Sequence, residues 1–344
     1  MKTISFKPKQ VTKKLLAVLP PRARDVLEKR YGLGTQDSTS QTLEAIGQTY
    51  GITRERVRQI ENYSIQSIQK SDVYKEYEQL FAELVDIVEE LGGIIAEQDL
   101  LAALASDQST RNHIFFLLVL GTPFNRNKED NSFHHRWYVK ESLAQAVEKA
   151  LSEVQESLSE EELISESEMI NRFIAKLSKV EERYKQEEYV KRWLGLSKAI
   201  GQNPLGEWGI STSPNVRAKG IRDFAYLAVK RHGSPMHFRE VAEAIESLFN
   251  RKAHVATCHN ELIKDGRFVL VGRGLYALTE WGYSAGVVKD VLRAILKENG
   301  PLTRDEIIDR VRKERYVKDN TIIVNLQDAS LFTRLPDGNY TLTK

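Results

Sequence analysis

The 344-residue chain is longer than a typical single domain, so we expect two to five folded units. Hydrophobic residues make up 41% and charged residues 28%, a balance that excludes intrinsic disorder and a membrane-embedded fold. The single cysteine, Cys258, excludes an internal disulfide and a multi-cysteine zinc site. The longest apolar run, His113–Gly121, is far shorter than the ~20 residues that span a bilayer. Residues 1–10 lack the apolar core of an export signal, so we expect a cytoplasmic protein.

Charge is unevenly distributed along the chain, although the net charge is only +2. Residues 1–70 hold thirteen Lys or Arg and six Asp or Glu. In contrast, Glu141–Glu168 holds nine glutamates and one lysine. A basic unit of this size is a candidate for contact with a polyanion, whereas the acidic stretch is most simply a solvated helix face.

The basic unit contains a predicted helix-turn-helix between Thr42 and Ile68. Apolar residues follow helical spacing on either side of a break at Gly51-Ile52, and Thr53 is placed to cap the second helix. The first turn of that helix is the part that enters the major groove in this motif. Arg54, Glu55, Arg58 and Gln59 project outward there, and their side chains are of the types that read bases. The alternative is an ordinary surface helix whose charges pair three and four positions apart.

Two segments together, "LPPRARDVLEKRYGLG" (Leu19–Gly34) and "TLEAIGQTYGITRERVRQIE", carry a family resemblance. Over about fifty residues they resemble region 4, the promoter-reading domain of sigma-70 family factors of bacterial RNA polymerase. The resemblance implies that Arg54, Glu55 and Gln59 read a −35 promoter element, with Arg58 at a basic position beside the DNA backbone. It places further backbone contacts at Arg22, Arg30, Thr42, Leu43, Thr53 and Arg56. Ile46, Ile52, Val57 and Ile60 are expected in the core.

The chain departs from the family pattern in two places. After Glu61 the family continues with a basic helix that meets activators and the polymerase flap, whereas "NYSIQSIQKS" has a single lysine. This argues against such contacts through that helix. Only eighteen residues precede Leu19, whereas the family's promoter-melting region normally lies before region 4. We therefore do not expect promoter melting of the familiar kind.

The remaining three-quarters of the chain repeats one pattern four times. Each copy reads helix, short break, helix, helix and a β-like pair that closes on an aromatic residue, which is the order of a winged helix. The closing aromatics are Trp137, Trp208, Tyr276 and Tyr340, and the second copy is the weakest because "NPLGEWGI", residues 203–210, shows only one convincing strand. The predicted fold is mainly α with small β wings, a helix-turn-helix domain followed by about four tandem winged helices. The predicted domains are 1–72, 73–142, 143–212, 213–284 and 285–344, with the joint before the third winged helix in residues 211–220.

The third copy resembles a HARE-HTH domain, the winged-helix module at the amino end of the RNA polymerase delta subunit. The resemblance rests on "GSPMHFREVAEAI" and on "NELIKDGRFVLVGRGLYALTEWG". It implies a transcription- or DNA-associated role without fixing the partner. Residues on its expected recognition helix and wing form a candidate nucleic-acid face, with ordinary surface roles as the alternative: His254, Thr257, His259, Asn260, Lys264, Arg267 and Arg273.

Catalytic and cofactor motifs are missing from the sequence. It has no Walker-type phosphate loop, no G-x-S-x-G elbow and no H-E-x-x-H helix, so we expect neither an enzyme nor a cofactor. His134 and His135 are adjacent and point apart on a strand, and His254 and His259 lack partners at ligand spacing, so we expect no metal. Cys258 fits a buried position better than a nucleophile.

Three functions remain open from the sequence. The leading one is a sequence-specific DNA-binding transcription regulator related to sigma factors, with duplex promoter-like DNA as its partner and RNA polymerase as a further possible one. The second is a delta-like polymerase accessory subunit that uses its winged helices for protein contact. The third is the DNA-recognition component of a restriction or repair system. None involves a membrane or a small-molecule substrate.

Overall fold

A computed structural model describes residues 2–34, 38–283 and 286–343. The chain divides into two compact units, one made of residues 1–201 and 208–211 and the other of residues 202–207 and 212–344. Across the described residues the fold is mainly α with small antiparallel sheets, as predicted, and consists of a helix-turn-helix domain followed by four winged helices. No helix in that part of the chain is both long and apolar enough to cross a bilayer.

The helix-turn-helix domain begins the first unit. Its helices are α1 (Pro8–Leu16), α2 (Pro21–Tyr31), α3 (Leu43–Tyr50) and α4 (Arg54–Gln69), followed by the short α5 (Asp72–Lys75). The helix boundaries follow from local chemistry. Proline is the first residue of α1 and α2, where its missing N–H costs no hydrogen bond. Gly32 and Gly51 end α2 and α3 in the left-handed conformation that glycine adopts readily.

The first unit continues with two winged helices. The elements of the first are α6 (Glu78–Glu90), β1 (Ile94–Ala96), α7 (Glu97–Leu104), α8 (Gln108–Leu120), β2 (Asn125–Asn127) and β3 (Arg136–Tyr138). Those of the second are α9 (Glu141–Ser157), α10 (Glu166–Lys176), α11 (Glu187–Leu194), β4 (Ile200–Gln202) and β5 (Trp208–Ile210).

The second unit holds the other two winged helices. The elements of the third are α12 (Ile221–His232), β6 (Met236–His237), α13 (Phe238–Phe249), α14 (Val255–Lys264), β7 (Phe268–Gly272) and β8 (Leu275–Leu278). Those of the fourth are α15 (Val288–Asn299), α16 (Arg304–Glu314), α17 (Asp319–Leu326), β9 (Phe332–Arg334) and β10 (Tyr340–Leu342).

The four closing aromatics occupy the same place in each winged helix. Each lies on the last strand and pairs with an apolar residue just before the cap of the second helix. In the second and fourth copies the first strand is only a one-residue bridge. The pairs are Ile95↔Trp137, Ile164↔Trp208, Met236↔Tyr276 and Leu302↔Tyr340. The repeat inferred from these aromatics is therefore confirmed.

The second copy has two wing strands, and residues 203–210 contain one of them, β5, as predicted; the other, β4, lies just before that segment. The turn between them depends on a side chain. Asn203 Oδ1 accepts hydrogen bonds from the amides of Leu205 (2.9 Å) and Glu207 (3.0 Å), and Gly206 takes a φ of +84°. A turn held by an asparagine side chain in this way lacks the adjacent two-residue motif, such as Asn-Gly or Asp-Gly, that predicts a hairpin from sequence.

The helix-turn-helix domain and the first winged helix share one hydrophobic core. Leu27 and Ile68 from the former belong to the same buried cluster as Phe116 and Leu117 of α8. The Tyr31 ring lies 5.0 Å from the Phe116 ring, measured between centroids. The two domains therefore form one packed body.

Candidate nucleic-acid interface

Two glycines set the geometry of the helix-turn-helix. Gly51 turns the chain between α3 and α4 with a φ of +64°. Gly47 lets α3 approach the turn, because a Cβ at that position would lie 2.6 Å from the Ile52 carbonyl oxygen. A small core of Val26, Ile46 and Val57 then holds α2, α3 and α4 together. The arrangement presents the first turn of α4 on the surface.

The predicted base-reading residues share that exposed surface. Thr53 caps α4 by accepting a hydrogen bond from the Arg56 amide at 3.2 Å. Val57 is fully buried, whereas the predicted readers Arg54, Glu55, Arg58 and Gln59 are all exposed. The structure therefore brings the four side chains together at the beginning of one helix.

Hydrogen bonds orient three of the four readers. Arg58 donates to both carboxylate oxygens of Glu55, at 2.8 and 2.7 Å. These hydrogen bonds from Arg58 hold the pKa of Glu55 below its usual range, so the carboxylate is ionised and can only accept. Arg56 donates to Gln59 Oε1 at 3.1 Å. No described residue forms an ion pair with Arg54, whose guanidinium stays open to a ligand.

The residues predicted to face the DNA backbone divide into two groups. Arg22 and Thr42 are exposed; the Arg22 guanidinium lies 5.4 Å from the Tyr50 ring centroid, and Thr42 caps α3. In contrast, the Leu43 side chain is partly buried and packs on the small helix-turn-helix core. Arg30 donates to Glu61 Oε1 at 3.3 Å and to the Gln41 carbonyl at 3.2 Å, so its charge is already partly paired.

Sequence reasoning missed the structural role of Glu61. This buried carboxylate accepts hydrogen bonds from the Tyr31 hydroxyl at 2.8 Å and from Arg30, and thereby joins α2 to α4. Burial and the neighbouring Glu61 raise the pKa of Tyr31, which remains a hydrogen-bond donor. A signal was available in the sequence, because Glu61 lies four residues after the buried Val57 and seven before the buried Ile68.

A groove of about 680 Å³ beside α4 was also missed. Arg56 and Gln59 line one side of it, and Arg22 lines the other. Tyr63, at 72% exposure, lies at its edge. The basic residues of α2 and α4 are therefore neighbours around one concave surface.

One face of the second half of α4 is covered, whereas Asn62, Tyr63 and Gln66 on its other face are exposed. Ile68 is fully buried, and Gln69 Nε2 donates to the Leu120 carbonyl of the first winged helix at 2.9 Å. Tyr74 donates to the same carbonyl at 3.1 Å. The segment that lacks the family's basic tail is thus an intramolecular contact.

The third helix of a winged helix is the usual reader of DNA, but the first two copies do not present it. In the first copy α8 packs against α1, α2 and α4, and every residue from Ser109 to Leu120 is at least partly buried. In the second copy α11 begins with Glu187 and Glu188, which pair with Lys191 and Arg192. Covered apolar surface and an acidic first turn both oppose phosphate contact.

In the third copy the predicted face is only partly assembled. His254, Thr257, Asn260 and Lys264 are exposed on or beside α14, and Arg273 is exposed at the turn of the wing. His259 is not free in this way, because its ring stacks on Phe238 at a centroid distance of 4.3 Å. Arg267 forms ion pairs with Asp265 (2.6 Å) and Asp223 (3.0 Å).

Cys258 lies on the buried side of α14, as predicted. Burial raises the pKa of its thiol to about 11, so it stays protonated at neutral pH. Among the described residues no group of three or more His, Cys, Asp and Glu side chains is arranged to hold a metal ion.

These features define the class of the amino-terminal domain. The family model "Sigma-70, region 4" matches residues 15–70, which contain the whole of α2, α3 and α4. The resemblance of this segment to sigma-70 region 4 is therefore confirmed.

Individual relatives match the same part of the chain. The RNA polymerase sigma factor SigA of Nostoc sp. is 48% identical over 67 residues, 19% of this chain and 17% of that protein. Sigma factor SigA1 of Synechococcus elongatus is 46% identical over 66 residues, 18% of this chain and 16% of that protein. Sigma factor RpoD of Neisseria gonorrhoeae is 41% identical over 59 residues, 17% of this chain and 9% of that protein. The chain thus spans less than a fifth of the length of these relatives.

Proposed function

We propose that the protein is a bacterial, non-catalytic DNA-binding transcription regulator related to sigma factors, acting in the cytoplasm at the nucleoid. Its helix-turn-helix reads a −35-like element. One observation carries the proposal: the segment that matches sigma-70 region 4 exposes Arg54, Glu55, Arg58 and Gln59 together on the first two turns of α4.

The chemistry of this surface suits duplex DNA. In the major groove the open guanidinium of Arg54 can donate to both acceptors of a guanine, and ionised Glu55 can accept from a cytosine amino group. Arg22 and Arg56 line the groove beside α4 and supply donors for phosphates. Arg58 exchanges its bond to Glu55 for a base or phosphate, so the pair orients both side chains before binding.

The winged helices have unequal roles in this proposal. We treat the predicted domains 1–72, 73–142, 143–212, 213–284 and 285–344 as the working division. The first winged helix supports the helix-turn-helix, because its α8 is covered. The third, which resembles a HARE-HTH domain, supplies the remaining nucleic-acid face through α14 and the wing at Arg273.

A selection experiment with the full chain tests this proposal and requires no assumed target sequence. Duplexes enriched from a random library should converge on a −35-like motif, and fluorescence anisotropy should show preference over a scrambled duplex. Arg54→Ala should weaken binding by about 1–3 kcal/mol on the selected duplex and relax preference at one base pair. Arg231→Ala, which removes an exposed charge in the second unit, is the matched control. Enrichment of no motif, or equal loss on both duplexes, would contradict base reading.

A second candidate, a polymerase accessory subunit, is favoured by the second winged helix. Its α11 begins with two glutamates, which form ion pairs with Lys191 and Arg192 on the same helix. An acidic, internally paired surface of this kind suits a protein partner better than phosphate. Purification of the tagged chain from a nuclease-treated lysate separates the two candidate functions. If core polymerase co-purifies after the DNA has been digested, and does so equally with the Arg54→Ala variant, the accessory role is supported.

A further inference from the structure

The second unit contains a cationic groove that none of the predicted sites includes as a whole. Its volume is about 830 Å³, and it lies between residues 212–220, the start of α12 and the loop from α14 to β7. Five basic side chains line it: Arg217, Lys219, Arg222, Lys264 and Arg267. Asp223 and Asp265 are the acidic residues of the lining, so the groove carries an excess of three positive charges.

The two carboxylates are already satisfied from within the protein. Arg267 pairs with both of them, and it also donates to Asn215 Oδ1 at 3.1 Å. Although burial alone would raise it, hydrogen bonds from Arg267 hold the pKa of Asp265 below its usual range. Asp223 further accepts from the Lys219 and Gly220 amides, at 3.1 and 3.0 Å, and so caps α12. Both acids are therefore already paired within the protein.

The remaining cations face solvent. Arg217, Lys219, Arg222 and Lys264 are all exposed, and within the described residues the closest carboxylate contact is Arg222 to Asp223 at 4.0 Å. Buried Ser213 holds the wall of the groove in place by accepting the Asn215 amide through its hydroxyl at 3.2 Å. Arg267 is thus held by the two carboxylates of the groove, while four exposed cations line the groove beside it, and in the described part of the chain only Arg222 of these four makes even a long contact with a carboxylate.

We propose that this cationic groove binds the phosphodiester backbone of duplex DNA, at a second contact separate from the outer face of α4. Pockets for small molecules have only a few polar groups that converge on the ligand, whereas seven of the eleven residues that line this groove are charged. Exposed Lys and Arg side chains of this kind contact phosphates without reading bases. The proposal rests on the proposed function for the choice of DNA as the polyanion.

The test compares two quadruple variants of the full chain. The groove variant carries Arg217→Gln, Lys219→Gln, Arg222→Gln and Lys264→Gln. The control carries Arg231→Gln, Lys297→Gln, Arg310→Gln and Lys313→Gln, an equal loss of exposed charge elsewhere in the second unit. A third variant swaps Arg and Lys at the four groove positions, keeping their charge. Anisotropy is measured from about 50 to 300 mM salt on the selected and scrambled duplexes.

The groove variant should bind both duplexes about tenfold or more weakly, by the same factor. The slope of log affinity against log salt should fall by about 2 to 4, since each lost phosphate contact accounts for roughly 0.9. The charge-keeping variant should bind like the native chain. Equal effects of the groove and control variants would overturn the proposal. The proposal would also be overturned if calorimetry showed saturable binding of ATP or inorganic phosphate to the native chain and to the control variant but not to the groove variant.

The outcomes also separate the two proposals. If the native chain shows no sequence preference but the groove variant still binds DNA more weakly, the −35-like reading is wrong and the groove remains a backbone site. If the native chain does show sequence preference and the groove variant binds like the control variant, only the groove proposal is wrong.

Discussion

The buried carboxylate of Glu61 allows a stability prediction with a worked magnitude. It accepts from the Tyr31 hydroxyl at 2.8 Å and from Arg30 Nε at 3.3 Å. The Glu61 side chain is only 11% exposed, whereas that of Arg30 is 36% exposed. We predict that Glu61→Ala loosens the packing of α4 on α2.

The two lost contacts contribute differently. A buried hydroxyl left without its partner costs about 1–3 kcal/mol. A wholly buried charge left unpaired costs about 3–5 kcal/mol, but Arg30 can turn to water and keep most of its hydration. The expected loss is therefore about 2–3 kcal/mol, roughly a 30- to 150-fold increase in local opening. Glu61→Gln keeps an acceptor for Tyr31 and should cost about half as much.

Amide hydrogen exchange of peptides from α2 and α4 measures this local opening free energy. Glu44→Ala, on the exposed face of α3, is the matched control and should change exchange by less than about 0.5 kcal/mol. Tyr31→Phe combined with Glu61→Ala should cost little more than Glu61→Ala alone, because the shared hydrogen bond is already gone. Equal exchange in Glu61→Ala and Glu44→Ala, or full additivity in the double variant, would refute the reasoning.

Three further predictions concern the same body. Gly47→Ala should lower the stability of the helix-turn-helix by about 1–3 kcal/mol because the new Cβ meets a backbone oxygen, whereas Gly266→Ala, with open space around it, should be nearly neutral in a thermal melt. Asn112→Ala removes hydrogen bonds to the Gly32 (3.0 Å) and Ser38 (2.6 Å) carbonyls and should speed exchange in α8 by about tenfold. Because burial raises the pKa of Tyr31 above the ordinary value of about 10, the folded state keeps this proton longer than the unfolded state. Stability should fall as pH rises above about 10, and Tyr31→Phe should make that fall in melting temperature shallower.

Local rules predicted the elements well where each signal lies within a few residues. Helical spacing on either side of Gly51 located α3 and α4, and the capping threonine located the start of α4. The closing aromatics revealed the four winged helices because each must pair with the first strand of its own copy. The exposed face of α4 that carries the predicted base-reading residues could also be predicted, because the buried Val57 fixes which side of the helix points to solvent.

Features that depend on packing between elements were not predictable in the same way. The apolar run within α8 is too short for a membrane span, and a helix that is apolar all round is typical of one covered on both sides, but the pattern does not identify what covers it. Residues 211–220 have the composition of a joint between domains, and only the folded chain shows Arg217 and Lys219 beside Lys264. Nothing local in the sequence indicates that Arg267 neutralises Asp223, which lies 44 residues away.

The shared core of the helix-turn-helix and the first winged helix has a consequence for helical phase. Because α8 lies against α1, α2 and α4, the first winged helix has a fixed orientation about the axis of a duplex bound to the exposed face of α4. DNA turns once in about 10–10.5 base pairs, so any other DNA contact made by these two domains must lie at a constant number of base pairs from the site bound by α4. Inserting about five base pairs between two such contacts would place the second on the opposite side of the double helix.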